Sequence, residues 1–156
     1  MGAPRIGERY RGAQGHSGYL LRQAWNAFHN AMETALRRHG LTGAQYAALS
    51  VLNREPGLSG AELARACNTT AQAMNGVLAT LERERLVERR PHPTHGRILQ
   101  VTLTGEGRRR MSAATPAVRR LEAAMESGVP PEQLALIKTW LAEAAERLVA
   151  FDASGR

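Results

Sequence analysis

Residues 59–107 read SGAELARACNTTAQAMNGVLATLERERLVERRPHPTHGRILQVTLTGEG, and the order of signals in this stretch decides the fold. Ser59 and Glu62 have the spacing of a capping box, in which each side chain satisfies the other residue's free backbone N–H. Leu63, Ala64 and Cys67 then supply an apolar side about one turn long. Asn68 breaks the pattern, and Thr69 with Gln72 reads as a second capping box. The two starts lie ten residues apart. That leaves room for two turns of helix and a tight turn, which is helix-turn-helix spacing.

In the second helix Met74, Val77, Leu78 and Leu81 recur at helical spacing and define the buried face. A rotation of about 100° per residue puts Gln72, Gly76, Ala79 and Arg83 on the opposite face, with Asn75 and Thr80 at its edges. Amides and small residues suit a major groove. Gln and Asn each bond bidentately to adenine, and Gly and Ala let the backbone approach. The competing reading is a solvated polar face.

After Leu86 the pattern becomes extended. Val87-Glu88-Arg89-Arg90 and Ile98-Leu99-Gln100-Val101-Thr102-Leu103 predict two strands, with Pro91, Pro93 and Gly96 in the turn. The hairpin carries Arg89, Arg90, His92, His95 and Arg97, with Glu88 its one acid. A basic hairpin beside a groove-reading helix has the form of a wing that touches phosphates and enters the minor groove. A solvated charged hairpin is the alternative.

Leu63-Ala64, Leu81-Glu82, Leu86-Val87, the Arg-rich hairpin and Leu103-Thr104-Gly105-Glu106-Gly107, taken as an ordered set, resemble the MarR family of bacterial transcription regulators. The flanking helices fit the same family, so the resemblance covers about residues 17 to 151. It departs from the family twice. His95 stands where an Asp is common, two residues before the wing-tip Arg97, and Gly76 stands where many members have an Arg. The resemblance implies a homodimer joined through its terminal helices. It also implies repression relieved by an aromatic or phenolic effector bound between the dimer helices and the reading unit, where this chain offers Trp25, Phe28, His29 and Tyr46.

The fold expected is mainly α with a small β-hairpin wing: a winged helix-turn-helix with N- and C-terminal dimerisation helices. Residues 1–16 read as a flexible basic arm and 17–156 as one domain. Within that domain 42–103 form the DNA-binding unit, and 17–39 and 104–151 the dimerisation helices. The DNA-facing set is Ser59, Thr69, Thr70, Gln72, Ala73, Asn75, Gly76, Arg83, Arg89, Arg90, His95 and Arg97. Gln72 and Asn75 would read bases, Thr69, Thr70 and Arg83 would hold phosphates, and Arg97 would enter the minor groove. The partner is double-stranded DNA carrying an inverted repeat, its half-sites one helical turn apart.

Composition bounds the rest. The 156 residues are 43% hydrophobic and 22% charged, enough for a packed core. A net charge of +7 and a pI near 10.9 favour a polyanionic partner. One cysteine excludes an internal disulfide and suits a reducing cytoplasm. No run approaches the roughly 18 apolar residues of a membrane span, and the N-terminus lacks the apolar core of a signal peptide. The chain is therefore expected in the cytoplasm, away from membranes.

The flanking helices carry wide apolar stripes. The first runs from Ser17 to about His39 with Leu21, Ala24, Trp25, Phe28, Met32, Ala35 and Leu36 on one side, and Gly40 is placed to end it. Thr42 and Gln45 cap the next, with Tyr46, Leu49, Val51 and Leu52 inward. Thr104 starts a helix to about Ser127, in which Pro116 predicts a kink or break near Ala113. The last helix presents Leu134, Ile137, Leu141, Ala145, Leu148 and Val149, with Trp140 beside them. So much apolar surface exceeds what a small reading unit covers, and a two-fold dimer is the natural solution.

Two other regulators fit the same scaffold. Cys67 as a reactive thiol, or His92 and His95 as an H-x-x-H pair, would make a redox or metal sensor. The thiol lies on an apolar side, where a small buried hydrophobe is the usual meaning, and the pair lacks a third ligand. A winged helix that binds protein instead of DNA is the other alternative. An enzyme is not expected. Gly105-Glu106-Gly107 is no phosphate loop, and neither a Ser/His/Asp set nor paired carboxylates converge on a cleft. No cofactor is implied.

Overall fold

The computed structural model describes residues 3–91 and 99–154. In chain order the elements are α1 (Ser17–Arg37), α2 (Gly43–Arg54), β1 (Leu58–Ser59), α3 (Gly60–Ala66), α4 (Ala71–Arg83), β2 (Val87–Pro91), β3 (Leu99–Leu103), α5 (Gly105–Glu126) and α6 (Pro131–Ser154). The architecture is the mainly helical one expected, with a small antiparallel sheet. The chain falls into two compact units, residues 1–121 and 122–156.

In the first unit the core gathers Leu36 and Leu41 from the α1 end, Ala48, Leu49 and Leu52 of α2, Leu63 and Ala64 of α3, and Met74, Leu78 and Leu81 of α4. Leu86, Val87, Val101, Leu103, Met111, Ala114 and Val118 complete it. Most are apolar positions of the sequence periods, and burying a Leu, Val or Met side chain stabilises the fold by roughly 1.5–3 kcal/mol. Gly40 adopts φ +64° at the end of α1, a left-handed backbone that glycine reaches without a Cβ clash. Thr42 and Gln45 form the expected capping box. The Gly43 N–H also donates to Glu33 Oε1 at 2.7 Å, tying the start of α2 to α1.

Three features depart from the sequence reading. The cap of α4 is Thr70, whose Oγ1 accepts from the Ala73 N–H at 3.1 Å, so Thr69–Gln72 is not a capping box. Thr69 instead donates its N–H to Ala64 O, continuing the α3 turn. The sheet has a third strand: β1 pairs antiparallel with β3 (Leu58↔Val101, Ser59↔Gln100), giving the order β1-β3-β2. The third departure is that α5 runs unbroken through Pro116. Its buried stripe, Gly107, Met111, Ala114 and Val118, continues on both sides of the proline. Packing of that stripe outweighs the roughly 3 kcal/mol that proline costs inside a helix.

Over residues 3–16 the chain makes a 3-10 turn at Arg9–Arg11. Arg11 Nε donates to Gln23 Oε1 at 3.1 Å, and Gln23 Nε2 returns a bond to Arg11 O at 3.0 Å. This reciprocal pair ties the segment to α1.

In the second unit Gly128, at φ +80°, precedes Pro130 and Pro131 and ends the helical run, as its sequence suggests. Lys138 Nζ pairs with Glu126 Oε1 at 2.7 Å across this turn. On α6, Leu136, Ile137, Trp140, Leu141, Leu148 and Val149 are all exposed.

Candidate functional site

The helix pair α3–α4 is held by two caps and one left-handed residue. Ser59 Oγ accepts from the Glu62 N–H, and Glu62 Oε2 accepts from the Ser59 N–H at 2.8 Å. Asn68 takes φ +51° in the turn, a conformation that Asn tolerates better than most residues. Met74, Leu78 and Leu81 seat α4 in the core with under 2% exposure. Gln72, Ala73, Asn75, Gly76, Ala79 and Arg83 consequently face solvent. The expected reading face is thus brought together on a rigid helix. A Cβ placed on Gly76 meets nothing within 4 Å, so the surface there is open.

The hydroxyls of the DNA-facing set differ in availability. Thr70 Oγ1 accepts the cap bond and keeps its O–H for an outside acceptor. Ser59 Oγ donates to Glu62 Oε2 at 2.7 Å and is engaged within its own capping box.

β2 and β3 pair from Val87↔Leu103 to Pro91↔Leu99 and form the hairpin. Arg89 Nε lies 3.0 Å from Glu82 Oε1, an ion pair whose N–H is not aimed for a hydrogen bond. Arg90 Nη2 lies 2.7 Å from Glu88 Oε1 in an exposed pair. His92, His95 and Arg97 fall outside the described residues, and with them the H-x-x-H pair and the wing-tip assignment.

Of the four side chains expected around an effector, three lie on α1 and Tyr46 lies on α2. On α1, Trp25 stacks on His29 with ring centroids 5.7 Å apart and lies 6.5 Å from Phe28. Tyr46 instead lines a cleft of about 440 Å³ between α2 and α5, with Ser50, Asn53, Arg54, Met111, Ser112, Thr115, Pro116 and Arg119. Its Oη donates to Thr115 Oγ1 at 3.2 Å, and Thr115 Oγ1 donates to Met111 O at 2.9 Å. The α5 wall was not foreseen. The signal for it was Pro116, a proline held inside a helical period.

Burial pushes the Cys67 thiol above its ordinary pKa, which lowers its thiolate fraction and its reactivity. Among the described residues no group of three or more His, Cys, Asp or Glu could hold a metal ion. No helix among them is long and apolar enough to cross a membrane.

Comparison with known proteins sets this geometry in context. The model of the MarR family matches residues 39–98. The HTH-type transcriptional repressor Rv2887 of Mycobacterium tuberculosis is 41% identical over 106 residues, which span 68% of this chain and 76% of the relative. The crystal structure of Rv2887 in complex with p-aminosalicylic acid aligns with a TM-score of 0.66 at 34% identity, covering 83% of this chain and 98% of that one. The repressor CouR bound to a 23-mer DNA duplex shares the fold, with a TM-score of 0.79 at 23% identity over 88% of this chain and 98% of its own.

Proposed function

The chain belongs to the MarR family of transcriptional regulators, DNA-binding proteins rather than enzymes, and we propose that it is a homodimeric repressor released from its operator by a small aromatic acid. The observation that carries the DNA-reading part is the α4 face. Gln72 and Asn75 stand exposed beside Gly76 and Ala79 on a helix whose other side is buried. In this reading Gln72 and Asn75 take base edges, with Ala73 and Gly76 allowing close approach. Thr69, Thr70, Arg83 and Arg90 take phosphates. Each bidentate base contact discriminates by about 1–3 kcal/mol, whereas phosphate contacts add affinity without sequence preference.

Two observations support the remaining parts. The exposed apolar residues of α6 need a covering partner, and a second copy supplies one by two-fold symmetry. For release, the α2–α5 cleft joins the reading unit to the helix that leads out of the wing. Rv2887, at 34% identity in the solved structure, is complexed with an aromatic acid. An effector that favours one of two dimer shapes by about 1–3 kcal/mol is enough to regulate binding.

The test is selection of double-stranded DNA by the purified chain at about 150 mM salt, where weak non-specific contacts are screened. The expected product is an inverted repeat with half-sites about 10 base pairs apart. A folded protein that enriches no sequence would overturn the operator-reading assignment and favour the protein-binding winged helix.

A further inference from the structure

Pro116 has no N–H, so the carbonyl of Ser112, four residues earlier, cannot receive its helical hydrogen bond. Both residues line the α2–α5 cleft, and both are exposed. The neighbouring Met111 carbonyl is served by the Thr115 hydroxyl, and the Tyr46 hydroxyl is in turn spent on Thr115. The proline therefore leaves a backbone acceptor on a wall where the Thr115 and Tyr46 hydroxyls are already committed. Arg54 of α2 and Arg119 of α5 line the same cleft. Neither forms an ion pair with a carboxylate among the described residues.

We propose that Pro116 makes the Ser112 carbonyl a specificity-determining acceptor, so that the cleft prefers an aromatic carboxylate bearing a hydroxyl or amino donor over the same acid without one. The proposal rests on reading this cleft as the effector site. Arg54 and Arg119 take the carboxylate, since a guanidinium fork matches its two oxygens. The Tyr46 ring flanks the aromatic body, and the donor meets Ser112 O. A cleft of about 440 Å³ is the size that holds one small ligand. An acid lacking the donor displaces water from the carbonyl and puts nothing in its place, and a site built around a polar group rejects a ligand on that ground.

The experiment is calorimetric titration of the full chain with benzoate, 3-hydroxybenzoate and 4-hydroxybenzoate. Wild type should bind at least one hydroxylated probe about three- to tenfold more tightly than benzoate, the effect of one hydrogen bond. Pro116→Ala restores an N–H to the Ser112 carbonyl and should bring that ratio to about one. Ser112→Ala keeps the carbonyl and should keep the ratio. In wild type, the ¹³C′ resonance of Ser112 should shift with the favoured hydroxybenzoate and not with benzoate. A ratio unchanged in Pro116→Ala, or equal carbonyl shifts with both probes, would overturn the proposal and leave the effector reading standing. Wild type that binds none of the three would overturn both.

Discussion

Arg89 Nε stands 3.0 Å from Glu82 Oε1, so the first strand of the wing is pinned to the last turn of the recognition helix. The pairing changes what Arg89 does for DNA. An arginine already neutralised by Glu82 orients β2 on α4, whereas Arg90, paired only with exposed Glu88, can exchange that partner for a phosphate. Arg90→Ala should reduce the slope of log K against log salt by about one, as loss of a phosphate contact does. Arg89→Ala should weaken binding with little change in slope, because the charge it removes is already paired; Glu82→Gln, which frees that charge, should not lower the slope. Both should cost about 1 kcal/mol or less of stability in urea titration, in the range of partly exposed ion pairs. A slope change as large for Arg89→Ala as for Arg90→Ala would contradict the division of labour.

Gln72 and Asn75 make a separate prediction about sequence preference. Either residue changed to Ala should relax the preference at one operator position by about 1–3 kcal/mol and leave the other positions as they were. Binding measured across a set of singly substituted operators reads this directly. Uniform losses on all sequences would assign these amides to phosphates.

The helices and the hairpin were legible because their signals are local: caps at Ser59 and Thr42, and apolar periods in α1, α2 and α4. Thr69 and Thr70 show where locality fails. Both are good cap residues, and the choice depends on which hydroxyl reaches an N–H three residues on, which the α3 turn decides. β1 is two residues long and has no period to detect; pairing with β3 creates it. Pro116 argued locally for a break, and the stripe through Ala114 and Val118 overruled it. In the candidate site, the outward face of α4 followed from periodicity alone. Engagement of Arg89 by Glu82 did not, because residue type says nothing about which partner a charged group finds. Nor did residue type foretell that the Tyr46 hydroxyl bonds Thr115 of α5 while Trp25 and His29 stack on α1.

Arg85 sits at φ +58° between α4 and β2, a left-handed backbone that costs a side-chain-bearing residue about 1 kcal/mol or more. Its carbonyl accepts from the Thr104 hydroxyl at 2.7 Å, which holds the turn in that shape. Arg85→Gly should therefore raise stability by about 1 kcal/mol, whereas Arg85→Ala should change it little. Equal effects in thermal unfolding would show that the side chain, and not the backbone, sets the energy of this turn.

Gly107 and Gly105 sit two residues apart at the start of α5 and should respond oppositely to substitution. A Cβ on Gly107 would collide with the Leu86 carbonyl, a backbone atom that also receives the Thr104 N–H and cannot move cheaply. A Cβ on Gly105 meets only the flexible end of Arg109 at 3.6 Å. Gly107→Ala should destabilise by about 2 kcal/mol or more, through forced separation of α5 from the α4–β2 turn. Gly105→Ala should be neutral, or stabilising by a few tenths of a kcal/mol. Urea midpoints of the two variants provide the comparison. Tolerance of Gly107→Ala would mean that the two segments are not in this close contact.

Exposed apolar side chains on α6 make the last prediction. Trp140 is 47% exposed, Leu148 63% and Val149 73%, too much apolar area on one helix for a chain that remains alone. Light scattering should give a mass twice the 17.0 kDa of the chain. Ile137→Asp and Leu148→Asp, each placing a charge among these residues, should shift the species toward monomer at micromolar concentration. Operator affinity should fall with the dimer fraction, because a dimer binds its second half-site at a high effective concentration and a monomer does not. Substitution of Arg65, an exposed position on α3 outside the dimerisation helices, should leave the mass unchanged. A wild-type chain that stays monomeric at all concentrations, yet selects an inverted repeat, would require the two copies to meet only on DNA.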